Sequence, residues 1–280
     1  MKHLLTQGEI SRLMPDNTWG GWSGEVHLIK HENKKYVVRR CTSLKKAKYY
    51  EFLNKLFEKD GFLPKFLGRH GKDVFYEYIE GRDLRENEKM EIFEKIGEIM
   101  AKINKKIPSK ENNLRFNSLI KELETGNYTK VTKAQFVRKK RGIKEVPKKQ
   151  LSKIEAKKLR KKFKELKNKF GNTSSYEMVD PTPGNFRTCK NKVYLVDIEA
   201  IKDNRAKGYG ISKFFLNWGN IPKRKKAFLE GYNKFNSSKF LTKDYNGFID
   251  LNFLIIELNF QAQTGKDTKK TKERLLEIIN

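Results

Sequence analysis

MVDPTPGNF (residues 178–186) and VYLVDIEA (residues 193–200) carry the most informative spacing in this chain. Asp180 precedes the amide Asn185 by five residues, and twelve residues later Asp197 ends a short apolar run. Three oxygen-bearing side chains in this order favour a site that binds a hard divalent cation or a chemical group that is transferred in a reaction. The competing interpretation is a capped turn, in which Asp180 and Asn185 bind backbone amides and Asp197 simply ends a strand.

The composition is strongly basic. The 280 residues include 62 Lys and Arg against 34 Asp and Glu, a formal net charge of +28, which attracts anionic partners over long distances. A general bias toward lysine would give a similar count, so charge alone does not identify a partner. The two cysteines, Cys41 and Cys189, provide no disulfide framework and no metal-binding pair. With no signal peptide or spanning segment evident, we expect a cytoplasmic protein.

The first 80 residues read as a small β-rich lobe. Short β-prone runs at 25–29 and 35–39 precede a helical run whose apolar residues are Ala47, Tyr50, Leu53, Leu56 and Phe57, and two further strands are predicted at 66–70 and 73–79. From Gly81 onward the patterns are mainly helical, beginning with a face formed by Ile92, Ile96, Ile99, Met100 and Ile103. The order predicts an α+β fold with two unequal lobes, residues 1–80 and 81–280, and a cleft between them.

A basic segment interrupts this pattern. Apolar periodicity fails from about 105 to 150, which predicts an insertion, and it returns at 151–170 with a face of Leu151, Ile154, Leu159, Phe163, Leu166 and Phe170. Residues 130–169 contain 18 Lys and Arg and three Glu, a local net of +15. Either this segment binds a polyanion such as RNA or an acidic surface, or it is a solvated face.

A candidate phosphate-binding half lies near the N-terminus. Gly20, Gly21 and Gly24 precede the first clear strand, where glycine lets backbone amides approach a phosphate, although three glycines are also typical of an ordinary turn. Arg39 ends the strand YVVR, and strand alternation sends its neighbour Arg40 to the opposite face. Glu51, twelve residues after Arg39 on the predicted helix, is the expected carboxylate partner of Arg39.

Together these motifs resemble the protein-kinase-like superfamily of small-molecule phosphotransferases, which includes aminoglycoside phosphotransferases and choline kinases. The resemblance covers about 19–104 and 151–235. It implies a bilobal protein-kinase-like fold, with a small antiparallel N-lobe containing one helix and a larger, mainly helical C-lobe, and it implies ATP and Mg²⁺ as cofactors. The family's catalytic loop, approximately His-Gly-Asp-Leu-His-Pro-Gly-Asn, aligns with MVDPTPGN without a gap.

The resemblance assigns a role to each candidate residue. Asp180 corresponds to the catalytic aspartate, and the metal ligands are Asn185 and Asp197. The nucleotide-binding residues are Gly20, Gly21, Gly24, Arg39, Glu51, and the hinge from Glu77 to Ile79, whose backbone would bind adenine. Glu199 matches an acid that is frequent in the choline-kinase-like branch.

Two positions depart from the family pattern. The histidine two residues before the catalytic aspartate is Met178 here, and the aspartate of a downstream element that braces the catalytic loop falls on Gly210. Either an apolar contact replaces a polar brace or the loop has drifted from catalysis. Asn104 also stands where relatives often have histidine.

The motifs predict a phosphotransferase that uses ATP and Mg²⁺ and acts on a hydroxyl of a small-molecule or sugar-containing acceptor. The alternative is a catalytically weak kinase-like module that binds RNA or another polyanion through residues 130–169. A protein kinase is less well supported, because no Ala-Pro-Glu element follows Asp197.

Overall fold

The computed structural model describes residues 18–21, 24–31, 33–108, 116–128, 148–170, 174–219 and 221–280. Within them the strands are Thr18–Gly21 (β1), Gly24–His31 (β2), Lys34–Cys41 (β3), Phe66–His70 (β4), Asp73–Glu77 (β5), Arg82–Asp83 (β6), Ser174–Met178 (β7), Phe186–Cys189 (β8), Lys192–Leu195 (β9) and Ile201–Ala206 (β10). The helices are Leu44–Phe57 (α1), Met90–Lys105 (α2), Phe116–Thr125 (α3), Lys153–Phe170 (α4), Tyr209–Asn217 (α5), Pro222–Asn233 (α6), Lys243–Thr264 (α7) and Lys269–Glu277 (α8).

The N-terminal region is an antiparallel sheet of five strands in the order β1-β2-β3-β5-β4. The four predicted strands are confirmed as β2 to β5. Gly20 and Gly21 were expected in a turn, but they lie on β1, where Gly20 pairs with Glu25 and Gly21 with Gly24. A glycine-containing β-hairpin therefore begins the described sheet.

Helix α1 covers one face of this sheet. It begins at Ser43, whose hydroxyl accepts a hydrogen bond from the Lys46 amide at 3.2 Å and so satisfies one of the free amides of the first turn. Its buried face includes Ala47, Tyr50 and Leu53, as the helical spacing predicts.

The C-terminal region is built around α2, whose buried face contains Ile96, Ile99, Met100 and Ile103 as expected. Helix α6 packs against α2 at two glycines. A Cβ atom at Gly97 would overlap the carbonyl oxygen of Phe228, and one at Gly231 would overlap the carbonyl oxygen of Glu94. The backbones therefore lie in direct contact, which only residues without a side chain permit.

A second core joins α3, α4, α7 and α8. Helix α3 corrects the expectation that apolar periodicity fails throughout 105–150, because Phe116, Ile120 and Leu123 bury one face against this core, while the insertion itself stays a prediction. The i, i+4, i+7 spacing of these residues was readable in the sequence. Helix α4 confirms the helix expected at 151–170, but Ile154 is 71% exposed and does not belong to its buried face.

Two predictions about organisation stay untested. Residues 129–147, which include 18 of the 40 residues of the segment proposed to bind a polyanion (130–169), lie outside the described residues. The lobe boundary at residue 80 also stays a prediction; two residues beyond it, β6 pairs with β8 of the C-terminal region.

The glycine contact between α2 and α6 yields the first prediction. Gly97→Ala and Gly231→Ala should each lower the free energy of unfolding by about 1–3 kcal/mol, the usual cost of overpacking a core, as measured by urea titration. Gly247→Ala in α7 is the control, because its Cβ meets nothing within 4 Å. The control should be neutral or stabilising by up to about 1 kcal/mol. Equal effects at all three positions would contradict close backbone packing.

Candidate active site

The stretch around Asp180 forms a tight loop between β7 and β8. Thr182 N donates to the Asp180 carbonyl oxygen at 2.9 Å, and Asn185 N donates to the Thr182 carbonyl oxygen at 3.0 Å. Residues Pro183–Asn185 form one 3₁₀ turn. Val196 N then donates to the Asn185 carbonyl oxygen at 2.9 Å, which ties the loop to the segment that carries Asp197. Asp180, Asn185 and Asp197 are thus brought to one place.

The amide of Asn185 has a defined orientation. Its Nδ2 donates to the Asp180 carbonyl oxygen at 2.7 Å and to Asp180 Oδ2 at 3.3 Å. Both contacts use the amide nitrogen, and neither uses the Asn185 Oδ1 oxygen. Together with the Asp197 carboxylate it offers oxygen ligands of the kind that Mg²⁺ prefers. The donor set fits a magnesium ion completed by water and phosphate oxygens. Within the described residues, no group of three or more His, Cys, Asp or Glu side chains has a metal-binding arrangement.

Arg39 extends from strand β3 to the segment that carries Asp197 and Glu199. Its Nη1 lies 3.0 Å from Asp197 Oδ1 and 3.8 Å from Glu199 Oε2, and its guanidinium lies over the Tyr50 ring at 5.8 Å from the ring centre. Burial opposes the charge of Arg39, but the carboxylate of Asp197 and its other neighbours outweigh burial and raise the pKa of Arg39. Arg39 therefore stays charged at the junction of the two regions.

Strand alternation separates Arg39 from its neighbour as the sequence predicts. The Arg39 side chain is 13% exposed, whereas that of Arg40 is 46% exposed and pairs with Asp73 through bonds of 2.9 Å. Of the two arginines, Arg39 contacts the segment that carries Asp197 and Glu199, whereas Arg40 pairs with Asp73.

The expected pair between Arg39 and Glu51 is corrected. Glu51 instead binds Arg69 at 2.6 Å and Lys55 at 2.9 Å, and hydrogen bonds from these two cations lower the pKa of the Glu51 carboxyl. The reason is the helical rotation of about 100° per residue. It turns Tyr50 toward Arg39 and directs Glu51 toward the edge strand β4, to which Arg69 belongs.

Sequence reasoning missed the residue that links α1 to the site. Lys46 Nζ contacts Glu199 Oε1 at 2.8 Å, so the helix is attached to the segment after Asp197 by a lysine in its first turn. Glu199 thereby contacts both Lys46 and, more distantly, Arg39. A lysine in a lysine-rich chain carried no signal that would have singled it out.

Glu177, which sequence reasoning also missed, accounts for the departure from the family pattern at Gly210. This carboxylate is completely buried and accepts hydrogen bonds from Asn104 Nδ2 at 2.6 Å and Ser175 Oγ at 2.7 Å. It also accepts from the backbone amides of Gly208 at 2.8 Å and Gly210 at 3.0 Å. A polar brace is therefore present, but its carboxylate comes from β7 rather than from position 210.

Burial raises the pKa of Glu177 to about 7, and the hydrogen bonds from Gly210, Ser175 and Gly208 oppose that shift. Because the pKa in the folded state lies above the ordinary value of 4.5, this group lowers stability as the pH rises from about 4.5 through 7. The four donors limit that cost.

Comparisons with known proteins add evidence about the fold. No family model matches the chain, and no curated protein matches it by sequence. The choline kinase LicA from Streptococcus pneumoniae superposes with a TM-score of 0.62 at 17% identity, covering 98% of this chain and 96% of that one. An ethanolamine kinase from Plasmodium vivax gives 0.57 at 11% identity, covering 94% and 81%. This chain has a protein-kinase-like fold.

A third solved structure with the kinase-like fold contains bound ligands. Spectinomycin phosphotransferase, in complex with ADP and spectinomycin, superposes with a TM-score of 0.53 at 12% identity and covers 94% of this chain and 89% of that one. LicA has also been solved in complex with AMP, and this structure gives a TM-score of 0.63 at 16% identity.

The segment predicted as the hinge, Glu77 to Ile79, begins at the last residue of β5. The Glu77 amide donates to the Lys65 carbonyl oxygen at 3.0 Å, and the Tyr78 amide donates to that of Lys35 at 3.4 Å. An adenine contact at Glu77 would therefore use its carbonyl oxygen, and the predicted amide donor is that of Ile79.

Within the described residues, no helix is long and apolar enough to cross a membrane.

The position of Glu51 yields the second prediction. Glu51→Gln should change the dissociation constant for Mg·ATP by less than about twofold, because a partly exposed ion pair with Arg69 contributes at most about 1 kcal/mol to stability and does not contact Arg39. Isothermal titration calorimetry measures the constant. Lys55→Gln, which removes the other partner of Glu51, is the matched control. A tenfold loss in the Glu51 variant alone would restore its family role.

Proposed function

We propose that this protein is an ATP- and Mg²⁺-dependent phosphotransferase that transfers the γ-phosphoryl group to a hydroxyl of a small-molecule or sugar-containing acceptor. The observation that carries the proposal is the meeting of three sequence motifs in one place. Asn185 Nδ2 contacts Asp180, the Asn185 carbonyl binds the segment leading to Asp197, and Arg39 of the sheet lies 3.0 Å from Asp197. A capped turn would account for the local contact between Asn185 and Asp180, but it requires neither the bond from Val196 to Asn185 nor the contact of Arg39 with Asp197.

Each side chain has a distinct role in the proposed reaction. Asp180 orients the acceptor hydroxyl and takes its proton while the hydroxyl oxygen forms a bond to the γ-phosphorus. The bond between that phosphorus and the β–γ bridging oxygen breaks, and ADP leaves with the electron pair. Asn185 and Asp197 would hold Mg²⁺, which neutralises charge on the phosphate oxygens when bound.

Arg39 supplies the cation for the nucleotide phosphates. The charge of Arg39 is matched by Asp197, whose Oδ1 atom lies 3.0 Å from Arg39 Nη1. When Asp197 binds a metal cation and Arg39 binds a phosphate, each side chain still has a partner of opposite charge. Glu199 and Lys46, in contact at 2.8 Å, hold α1 against this segment.

The kinase-like neighbours support a small acceptor. These neighbours include a choline kinase, an ethanolamine kinase and a spectinomycin phosphotransferase in complex with spectinomycin. The complexes with AMP and ADP support a nucleotide as the phosphoryl donor. The cysteine content supports a cytoplasmic location.

A polyanion-binding module is the second candidate. Helix α4 favours it, because lysines occupy the exposed positions around its buried face of Ala156, Leu159 and Phe163. The two functions are separated by a thermal melt with Mg·ATP. Binding at 100 times the dissociation constant stabilises the folded state by about 2.7 kcal/mol, whereas a module without a nucleotide site would not respond.

The register of β3 yields the third prediction. Arg39→Ala should weaken Mg·ATP binding by at least about tenfold, since hydrogen bonds to charged groups contribute about 1.5–3 kcal/mol. Arg40→Ala is the matched control and should change the affinity by less than about twofold, because Arg40 pairs with Asp73 on the other face. Calorimetric titration measures both. Equal losses, or a larger loss at Arg40, would contradict Arg39 as the phosphate cation.

The role of Asp180 yields the fourth prediction. Asp180→Asn should lower kcat by at least about 10²-fold, the usual contribution of a positioned base, and leave Mg·ATP affinity nearly unchanged. The exposed Asp267→Asn is the control. The measurement is ADP release across a panel of choline, ethanolamine and aminocyclitol acceptors. The enzyme proposal fails if the unmodified protein neither transfers phosphate to any of them nor binds Mg·ATP.

A further inference from the structure

The buried carboxylate of Glu177 lies at the start of a helix that contacts the catalytic loop along its length. Helix α5 begins beside Gly208, whose φ of +87° is in the left-handed region, and the amides of Gly208 and Gly210 both point at Glu177. The first amides of a helix have no partner within the helix and carry partial positive charge. Glu177 satisfies two of these amides and opposes that charge.

Gly210 keeps α5 against β7. A Cβ atom at this position would overlap the Met178 carbonyl oxygen and lie 2.9 Å from Cε of Met100. The family's aspartate therefore has no room at position 210 with the helix in this position. The absence of that side chain and the presence of Glu177 are two parts of one arrangement.

Helix α5 then contacts the loop at two further points. Lys213 Nζ donates to the Val179 carbonyl oxygen at 3.0 Å and to Asp180 Oδ1 at 3.1 Å. Trp218, the residue that ends α5, donates from Nε1 to the Pro181 carbonyl oxygen at 2.7 Å. The backbone on both sides of Asp180 and the carboxylate itself are thus held by one helix.

Two other helices fix Glu177 itself. Asn104 of α2 donates to Glu177 and to the Tyr176 carbonyl oxygen at 2.8 Å, and its Oδ1 accepts from the Tyr232 hydroxyl of α6 at 3.0 Å. The orientation of the Asn104 amide is therefore set on both sides. The carboxylate that caps α5 cannot shift without breaking contacts to α2.

We propose that Glu177 and Lys213 are positioning residues for the phosphoryl transfer. Glu177 fixes the start of α5, and Lys213, about one turn later, fixes the carboxylate of Asp180. This inference rests on the proposed function for its effect on rate. Its structural part, the coupling of Glu177 through α5 to the loop, stands on the contacts above.

The test compares four single variants of the full chain and the double variant of Glu177→Gln with Lys213→Met. Glu177→Gln keeps the shape of the side chain but places a donor among four donors. Lys213→Met removes the ammonium group, and Lys213→Arg keeps a donor there. Glu122→Gln is the matched control, because Glu122 is also buried and accepts a hydrogen bond from Asn259 at 3.0 Å in the second core.

Turnover should fall without a loss of nucleotide affinity. We expect Glu177→Gln and Lys213→Met each to lower kcat by about 10- to 100-fold, since small displacements of a reacting group cost up to about 10² in rate. The dissociation constant for Mg·ATP should change less than twofold, and Lys213→Arg should recover most of kcat. In the double variant the two losses should not multiply, because both act on one unit.

A second measurement does not require activity. Hydrogen exchange at the amides of Thr182 and Asn185 should rise in Glu177→Gln relative to exchange in α7, and it should not rise in Glu122→Gln. Unchanged exchange in the loop, or equal changes in both variants, would overturn the inference. If the loop responds but the unmodified protein neither turns over nor binds Mg·ATP, the proposed function fails while the coupling through α5 holds.

Discussion

The C-terminal region depends on how one buried carboxylate is satisfied. An ionised carboxylate removed from water costs several kcal/mol unless hydrogen bonds replace its hydration. Glu177 receives four such bonds, from α2, from its own strand and from the first amides of α5. Because the donors come from different elements, Glu177 receives all four hydrogen bonds only when α2, β7 and α5 are packed in this arrangement. Asp180 lies three residues after Glu177 in the chain.

The two regions of the fold meet through a second charged contact. Arg39 is nearly buried, and Asp197 at 3.0 Å is its closest acidic contact among the described residues. The Tyr50 ring beneath it and Lys46 beside Glu199 bring α1 into the same cluster. The charges at this junction support the proposed nucleotide site. Arg39 can bind a phosphate in place of Asp197, and Asp197 can bind a divalent cation in place of Arg39.

Much of the architecture could be predicted from the sequence. Strands β2 to β5 and helices α1, α2 and α4 to α8 lie where local patterns place them, because period-2 and period-3.6 spacing of apolar residues reports burial directly. The spacing of Asp180, Asn185 and Asp197 was equally readable, and alternation along β3 separated Arg39 from Arg40. Helix α3 was also readable from its apolar spacing, although the basic residues around it obscured it.

Contacts between distant charged residues were decided only by the tertiary structure. The sequence predicts Glu51 as the partner of Arg39, but rotation around α1 decides that Tyr50 faces Arg39 while Glu51 meets Arg69. Glu177 and Gly210 are 33 residues apart and carry no periodic signal, so their contact appears only when α5 packs on β7. Local spacing therefore determined which segments are buried and which motif is the candidate for the chemistry. Packing decided which charges meet, because an ion pair depends on positions in space that separation along the chain does not encode.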